Sequence, residues 1–200
     1  TPTGLEWDRA WMVVDAQGEF VTQRELPRMA LIQPSFKLDQ LVLRAPGMLA
    51  LHLSLDGVES PRRVRVWDDE VDAWDMGDLA AQWFSDFLGA DAPADLKRLR
   101  LVRFDPEVKR LCSAKWTGWR ESVTQFADGF GVLVASTASL DELNARLAKA
   151  GEAPVDMRRF RPNVVLGGVE SADEDRIGGW RVQAEGGVAA LENVKPCARC

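Results

Sequence analysis

The chain has 200 residues, of which 46% are hydrophobic and 28% charged, enough apolar material for a sizeable core in one or two domains. Its net charge of -6 argues against nucleic acid as a stable partner, so any bound anion requires a local basic cluster. Apolar runs such as 48–55 are too short to cross a bilayer, and the first residues lack a signal-peptide pattern. Three cysteines without framework spacing favour a reducing compartment, so we expect a cytoplasmic protein with no membrane partner.

The first half of the chain predicts mainly β structure. Residues 11–23 predict a hairpin that turns at Ala16–Gly18 and ends before Pro27. Segments at 36–46, 48–56 and 62–74 repeat the alternation of apolar and polar residues, with turn residues between them. One helix interrupts these strands at 78–88, where apolar residues recur at helical spacing between Asp78 as a cap and Gly89 as a stop.

The second half predicts a mixed pattern after a strand at 99–104. A long polar and aromatic connection at 114–130 leads to the apolar strand 132–136. A second helix is expected at 139–150, with Ser139 and Glu142 as a capping box and Gly151 as its end. The fold class is therefore mainly β (α+β) with two short helices, and we expect two domains, 1–104 and 105–200.

Two cysteines, Cys197 and Cys200, stand in the last six residues as a C-x-x-C pair. A zinc site needs four ligands, and Cys112 and His52 lie at no useful spacing from the pair. A thioredoxin-type pair would open a helix after a strand, whereas nothing follows Cys200 in this sequence. For the pair alone, two cysteines packed as small hydrophobic residues are the simplest interpretation. His52, in an alternating strand, is interpreted as structural.

Basic residues near these thiols change that interpretation. Lys195 and Arg199 flank the pair, and three arginines at 158, 159 and 161 precede a strand in a chain that is acidic overall. Arginine binds phosphate through two parallel hydrogen bonds, and positive charge beside a thiol favours the thiolate that a soft metal needs. The combination indicates an anionic metal cofactor. An acidic run at 173–175 is interpreted as a solvated turn.

Two groups of motifs resemble a known family. Residues 4–32 resemble the β-barrel region that precedes a MOSC domain, and R-F-R-P-N-V-V-L-G-G at 159–168 with K-P-C-A-R-C at 195–200 resembles the MOSC domain. The wider resemblance is to the mitochondrial amidoxime-reducing components and their bacterial relatives, and it covers nearly the whole chain. It implies a β-barrel-like N-terminal MOSC region at 1–104 followed by a partial MOSC β-barrel at 105–200.

The resemblance implies that this chain binds the molybdenum cofactor, molybdopterin. Cys200 matches the thiolate that ligates molybdenum, and it is thus the expected metal ligand and catalytic residue, while Cys197 matches a cysteine that is not a ligand. Arg161 and Asn163 match the F-R-P-N residues that hold the pterin and its phosphate. Further expected cofactor-binding residues are Arg9, Gly129, Phe130, Ala198 and Arg199.

The resemblance also implies an activity. The family reduces N-hydroxylated compounds such as amidoximes and hydroxylaminopurines with electrons from a ferredoxin-like or a cytochrome/flavin reductase partner, and pyridoxal phosphate binding is a term associated with it. Members begin earlier, with a Lys-Ser strand, and continue past the ligand cysteine. We therefore expect this chain to be a fragment that is inactive and binds the cofactor poorly by itself. Two alternatives stay open, namely a carrier domain of the cofactor-sulfurase type and a non-catalytic β-barrel binding module.

Overall fold

The computed structural model describes residues 1–184 and 186–197. The chain forms two compact units. The N-terminal unit consists of Trp7–Arg110 and Gln125–Asp128, and the C-terminal unit consists of Thr1–Glu6, Leu111–Thr124 and the described part of Gly129–Cys200. Strands outnumber helices in both units, so the expected mainly β fold is confirmed, although the described residues form four α-helices where the sequence predicted two. The domain boundary after residue 104 stays a prediction.

The strands of the N-terminal unit form two antiparallel sheets. One sheet has the order β1-β7-β6-β5 and the other has the order β2-β3-β4. The strands are β1 (Trp11–Val14), β2 (Gln33–Lys37), β3 (Gln40–Arg44), β4 (Leu51–Ser54), β5 (Ser60–Val66), β6 (Asp69–Asp75) and β7 (Arg100–Phe104).

The predicted hairpin at 11–23 forms only in part. The chain turns as expected, and Val14 pairs with Phe20, but only as an isolated bridge. The main partner of β1 is β7, with Trp11 opposite Arg103. Residues 22–26 leave the sheet because the Leu26 amide donates to the Thr22 carbonyl oxygen at 3.0 Å, which makes a turn where the second strand was expected.

Strands β1 and β7 of the four-stranded sheet bury side chains on both faces, because neighbouring residues of a strand point to opposite sides, whereas β5 leaves one face exposed. On one face, Val13 and Leu101 pack with helix α1 (Asp78–Leu88) and with the three-stranded sheet. On the other face, Val14 and Val102 belong to a second core of mostly valine side chains. Helix α1 begins and ends where the sequence predicted, although its N-cap is Gly77 and not Asp78.

The C-terminal unit contains a β-α-β segment and a hairpin. Strands β10 and β11 are parallel and pair Val134 with Val164, and helix α3 connects them. Strands β12 and β13 are antiparallel. The remaining elements, in chain order, are β8 (Arg110–Leu111), α2 (Ala114–Thr117), β9 (Val123–Thr124), β10 (Val134–Ser136), α3 (Thr137–Lys149), β11 (Val164–Leu166), α4 (Asp173–Arg176), β12 (Gly179–Ala184) and β13 (Gly187–Glu192).

Helix α3 is confirmed, but its predicted capping box is wrong. The N-cap is Ser136, whose buried hydroxyl accepts a hydrogen bond from the Ser139 amide at 3.0 Å. Ser139 therefore lies one turn inside the helix, where its own hydroxyl accepts from the Ala172 amide at 2.9 Å. Glu142 instead accepts a hydrogen bond from the Ser171 hydroxyl and pairs with Arg146.

Candidate functional site

The F-R-P-N segment leads into β11 through a tight turn. Asp156 caps a 3₁₀ turn at Met157–Arg159 by accepting a hydrogen bond from the Arg158 amide at 2.9 Å. Arg161, directly before Pro162, then adopts a backbone φ of 55°. This left-handed conformation is rare for residues other than glycine. Its side chain is exposed, as are those of Arg158 and Arg159. Such backbone conformations occur at ligand-binding sites and also in ordinary turns, and six other non-glycine residues of the described chain share a positive φ.

Asn163 fixes the start of the parallel strand pair. Its side-chain oxygen accepts a hydrogen bond from the Leu133 amide at 2.8 Å, and its own amide donates to the Leu133 carbonyl oxygen at 2.8 Å. The residue is half-buried. Asn163 thus ties the F-R-P-N segment to the entrance of β10, which is a structural role that the sequence did not indicate.

The loop at 125–131 contains two of the expected cofactor-binding residues, Gly129 and Phe130. Gly129 is exposed, and a methyl group on its Cα would meet no atom within 4 Å. Phe130 is half-buried. The glycine that the fold requires is Gly131, where a methyl group would lie 2.1 Å from the Thr3 carbonyl oxygen. The sterically restricted glycine of this loop is therefore two residues beyond the glycine that the resemblance indicated.

Arg9 lies in the N-terminal unit, in an irregular segment just before β1. It also adopts a left-handed conformation, with φ 53°, and it pairs with Asp8. Its carbonyl oxygen accepts a hydrogen bond from the Phe126 amide at 3.2 Å. The Arg9 side chain is half-buried, which suits an arginine that is held in one orientation.

The last described residues carry part of the C-x-x-C motif. The Lys195 ammonium lies 5.3 Å from the ring centre of Trp116, and Cys197 is exposed. Ala198, Arg199 and Cys200 lie outside the described residues. The expected convergence of arginines 9, 161 and 199 on one cofactor stays a prediction.

The acidic run at 173–175 is not the solvated turn that the sequence suggested. It forms helix α4, and the half-buried Glu174 carboxylate accepts from the Ser136 amide at 3.2 Å, at the positive end of α3. Burial raises the pKa of Glu174, but hydrogen bonds from Ser139 and Ser136 outweigh it and hold the pKa below its ordinary value. Glu174 is therefore an ionised structural group that stabilises the start of α3.

Within residues 1–184 and 186–197 no group of three or more His, Cys, Asp or Glu side chains could hold a metal ion. His52 accordingly stands apart from any such cluster, and its ring nitrogen lies 2.9 Å from the Gln40 side-chain oxygen. In the same part of the chain, no helix is both long and apolar enough for a bilayer span.

Comparison with known proteins identifies both halves of the chain. Residues 1–91 match the MOSC N-terminal beta barrel domain, and residues 121–200 match the MOSC domain. The chain is a MOSC-domain protein. The F-R-P-N and C-x-R-C motifs fall within the range that matches the MOSC domain. Arg9 falls within the range that matches the N-terminal domain.

Several relatives of this MOSC-domain protein are amidoxime-reducing components. It is 34% identical to mitochondrial amidoxime reducing component 2 of Bos taurus, over 96% of this chain and 54% of the relative. It is 34% identical to component 1 of Mus musculus, over 100% of this chain and 57% of the relative. The chain thus spans little more than half the length of these relatives. Their names place them in mitochondria, so a cytoplasmic location stays a prediction for this chain.

A solved structure also matches. The solution structure of a protein from Bordetella bronchiseptica is 31% identical, with a TM-score of 0.41, over 48% of this chain and 72% of that protein.

Proposed function

We propose that this chain binds the molybdenum cofactor and forms part of a reductase of N-hydroxylated compounds, such as amidoximes and hydroxylaminopurines. The observation that supports this most directly is Arg161, an exposed arginine in a left-handed conformation within the F-R-P-N motif. The similarity to amidoxime-reducing components supplies the substrate class. Pyridoxal phosphate binding has no support in these matches and is not part of the proposal.

The described residues suit the phosphate end of this cofactor. A phosphate needs several strong donors in one place, and Arg158, Arg159 and Arg161 supply guanidinium groups within four residues. All three are exposed at the turn before β11, so a phosphate can approach them without displacing buried side chains. Because the net charge of the chain is -6, the protein as a whole does not attract anions. A local basic cluster such as this one is therefore needed to bind a phosphate.

We assign the metal end of the cofactor to Cys200, whose thiolate would be the protein ligand. Lys195 and Arg199 stand within five residues of Cys200 in sequence, and positive charge close to a thiol favours the thiolate. When bound, the molybdenum centre supplies the two-electron chemistry that breaks an N–O bond. The residues of this chain bind, orient and shelter it, and a ferredoxin-like or cytochrome/flavin reductase partner would supply the electrons.

The test uses the whole protein, produced in cells that make the cofactor. We expect molybdenum and pterin in the purified protein and reduction of an amidoxime with a chemical electron donor. Arg161→Gln should lower cofactor retention, by about 1.5 to 3 kcal/mol if its bond to the phosphate is sheltered and by less if it is exposed. The exposed Arg24→Gln variant, far from the motif in sequence, serves as a control.

The outcomes separate the alternatives. Cofactor without N-reduction would favour a carrier domain of the sulfurase type. A folded protein without molybdenum or pterin would favour a non-catalytic binding module and would refute the proposal.

A further inference from the structure

The loop Gln125–Asp128, which we call the 125–128 loop, precedes Gly129 and Phe130 directly in sequence. It lies in the N-terminal unit, although the MOSC match begins at residue 121. Phe126 and Ala127 are buried. Because this loop is packed into the fold, the residues that follow it directly in sequence have fewer backbone conformations available.

Arg110 makes most of the polar contacts that hold this loop. One nitrogen of its guanidinium, Nη1, donates to the Gln125 carbonyl oxygen at 2.8 Å and to the Ala127 carbonyl oxygen at 2.5 Å. The other, Nη2, donates to the Asp128 carbonyl oxygen at 3.4 Å. Nε donates to the Asp69 carboxylate at 2.8 Å, which balances the charge. The Arg110 side chain is 6% exposed.

Aromatic residues also contact the same loop. Phe126 belongs to the second core of the four-stranded sheet, and its ring meets the Phe104 ring edge-on at 5.2 Å between centres. The Trp67 indole nitrogen lies 3.4 Å from the Asp128 carboxylate. With the Phe126 amide bonded to Arg9, the loop is fixed by its backbone, its apolar side chain and its acidic side chain.

We infer that Arg110 is a positioning residue, which holds the 125–128 loop and thereby restricts the backbone of Gly129 and Phe130, the next two residues and two of the expected cofactor contacts. The cofactor part of this inference rests on the proposed function. Arg110 does not touch the reacting atoms, and it acts through the three carbonyl groups that it binds. A buried arginine that bound only a carboxylate would contribute to stability alone. Arg110 instead donates three of its hydrogen bonds to carbonyl groups of one loop.

Only arginine can make this set of bonds. Its planar fork presents five N–H donors in fixed directions, whereas a lysine ammonium is a compact charge at one point. Arg110→Lys should keep the charge beside Asp69 but lose most of the carbonyl contacts. The variant therefore separates the ion pair from the hold on the loop.

The first measurement is hydrogen exchange on the 200-residue chain. We expect Arg110→Lys to speed exchange of the Phe126 amide, which donates to the Arg9 carbonyl oxygen, by about tenfold or more, because the loop loses several charge-assisted bonds. Arg100→Lys is the matched control, since Arg100 also binds carboxylates, Asp75 and Asp78, and no loop carbonyl among the described contacts. It should leave exchange of the Phe126 amide unchanged. Equal exchange in both variants would overturn the inference.

The second measurement is molybdenum retention by the whole protein. At a temperature where both variants are folded, Arg110→Lys should lose cofactor several times faster than Arg100→Lys. A loosened loop with unchanged retention would overturn the link to the cofactor and leave the proposed function intact. Absence of molybdenum from the unaltered protein would overturn the proposed function together with that link, while exchange of the Phe126 amide would still decide whether Arg110 holds the loop.

Discussion

Asp75 is a carboxylate in the interior of the N-terminal unit, where it is 2% exposed. Its oxygens accept a hydrogen bond from Arg100 Nη2 at 2.9 Å and another from the Gly77 amide at 2.8 Å, and Arg62 lies 3.6 Å away. Burial raises the pKa of Asp75, but the bonds from Arg100 and Gly77 and the two positive charges outweigh it. The pKa is therefore held below its ordinary value.

Asp75→Asn should lower the free energy of unfolding by about 2 to 4 kcal/mol near neutral pH, because it leaves two arginines without their buried partner. Since the folded pKa lies below the unfolded value of about 3.9, this contribution is complete above that value and is lost as the pH falls through the folded pKa. Urea unfolding at several pH values measures it. Asp78→Asn, which removes the 95% exposed partner of the same Arg100, should cost less than about 1 kcal/mol. Equal costs for the two variants would contradict this account.

Asn163 combines a structural role with a proposed binding role, and two substitutions separate them. Asn163→Asp keeps an oxygen for the Leu133 amide, so the fold should survive, but the new negative charge should repel a phosphate and reduce cofactor retention severalfold. Asn163→Ala should lose about 1 to 3 kcal/mol of stability, because the Leu133 amide is left without its acceptor. Thermal unfolding and molybdenum content distinguish the two effects. Full retention in Asn163→Asp would remove this residue from the site.

Two glycines in one loop give an internal comparison. Gly131→Ala should destabilise the C-terminal unit by about 1 to 3 kcal/mol, because the new methyl group would overlap the Thr3 carbonyl group. Gly129→Ala should change stability by less than about 0.5 kcal/mol, because the space around it is open. The free energies of unfolding from urea titration test both. A neutral Gly131→Ala would show that the first residues do not pack on this loop.

At the scale of elements, helix α3 shows where a local pattern was sufficient and where it failed. The spacing of Leu143 and Leu147 and the stop at Gly151 located the helix to within two residues of its observed start. Ser136 and Ser139 are both suitable caps three residues apart, so the sequence alone could not choose between them. The choice depends on Glu174 and Ala172, which meet these serines only after folding.

Ser136→Ala should cost about 1 to 2 kcal/mol, because the Ser139 amide loses its acceptor in a position that is fully buried. Ser113→Ala is the matched control. Ser113 is the N-cap of α2 but makes no side-chain cap hydrogen bond, so its loss should cost under about 0.5 kcal/mol. Denaturant midpoints of the two variants provide the comparison, and similar shifts would contradict the assigned cap.

Strand pairing was predictable only where partners are close in sequence. The β3-β4 pair joins two of the predicted segments, whereas the β2-β3 and β5-β6 hairpins turn inside segments 36–46 and 62–74, which the sequence had left undivided. The pairing of β1 with β7 joins residues that are far apart in sequence, 92 positions in the case of Trp11 opposite Arg103 (103 − 11), and no turn signal indicates it. Because β1 and β7 bury side chains on both of their faces, apolar burial stabilises this distant pairing more than the short local hairpin.

At the scale of the whole molecule, the two units are interleaved in sequence. The N-terminal unit takes the 125–128 loop from the MOSC half, and the C-terminal unit takes the first six residues. Composition and periodicity describe continuous segments of a chain. They therefore predicted two domains with one boundary and could not predict units built from separate segments. Of the candidate site, the motifs identified Arg161 and Asn163 as special positions, and the structure adds the left-handed backbone of the first and the strand contacts of the second.

The buried arginine behind the 125–128 loop carried no sequence signal. Arg110 stands in a K-R-L-C stretch whose basic residues resemble an ordinary solvated face. Its partners include Asp69, 41 positions away, and three carbonyl groups that any sequence would provide. Residues that act through backbone groups are the part of a site that single-sequence reasoning misses.

The central proposal is that Cys200 ligates molybdenum, and the direct measurement is the molybdenum and pterin content of the whole protein with one cysteine replaced at a time. Cys200→Ser should abolish metal ligation and N-reduction, because a serine hydroxyl is a poor substitute for a thiolate. Cys197→Ser should keep most of both. Equal losses from the two variants, with both folded, would contradict the assignment, as would an unaltered protein that carries no molybdenum.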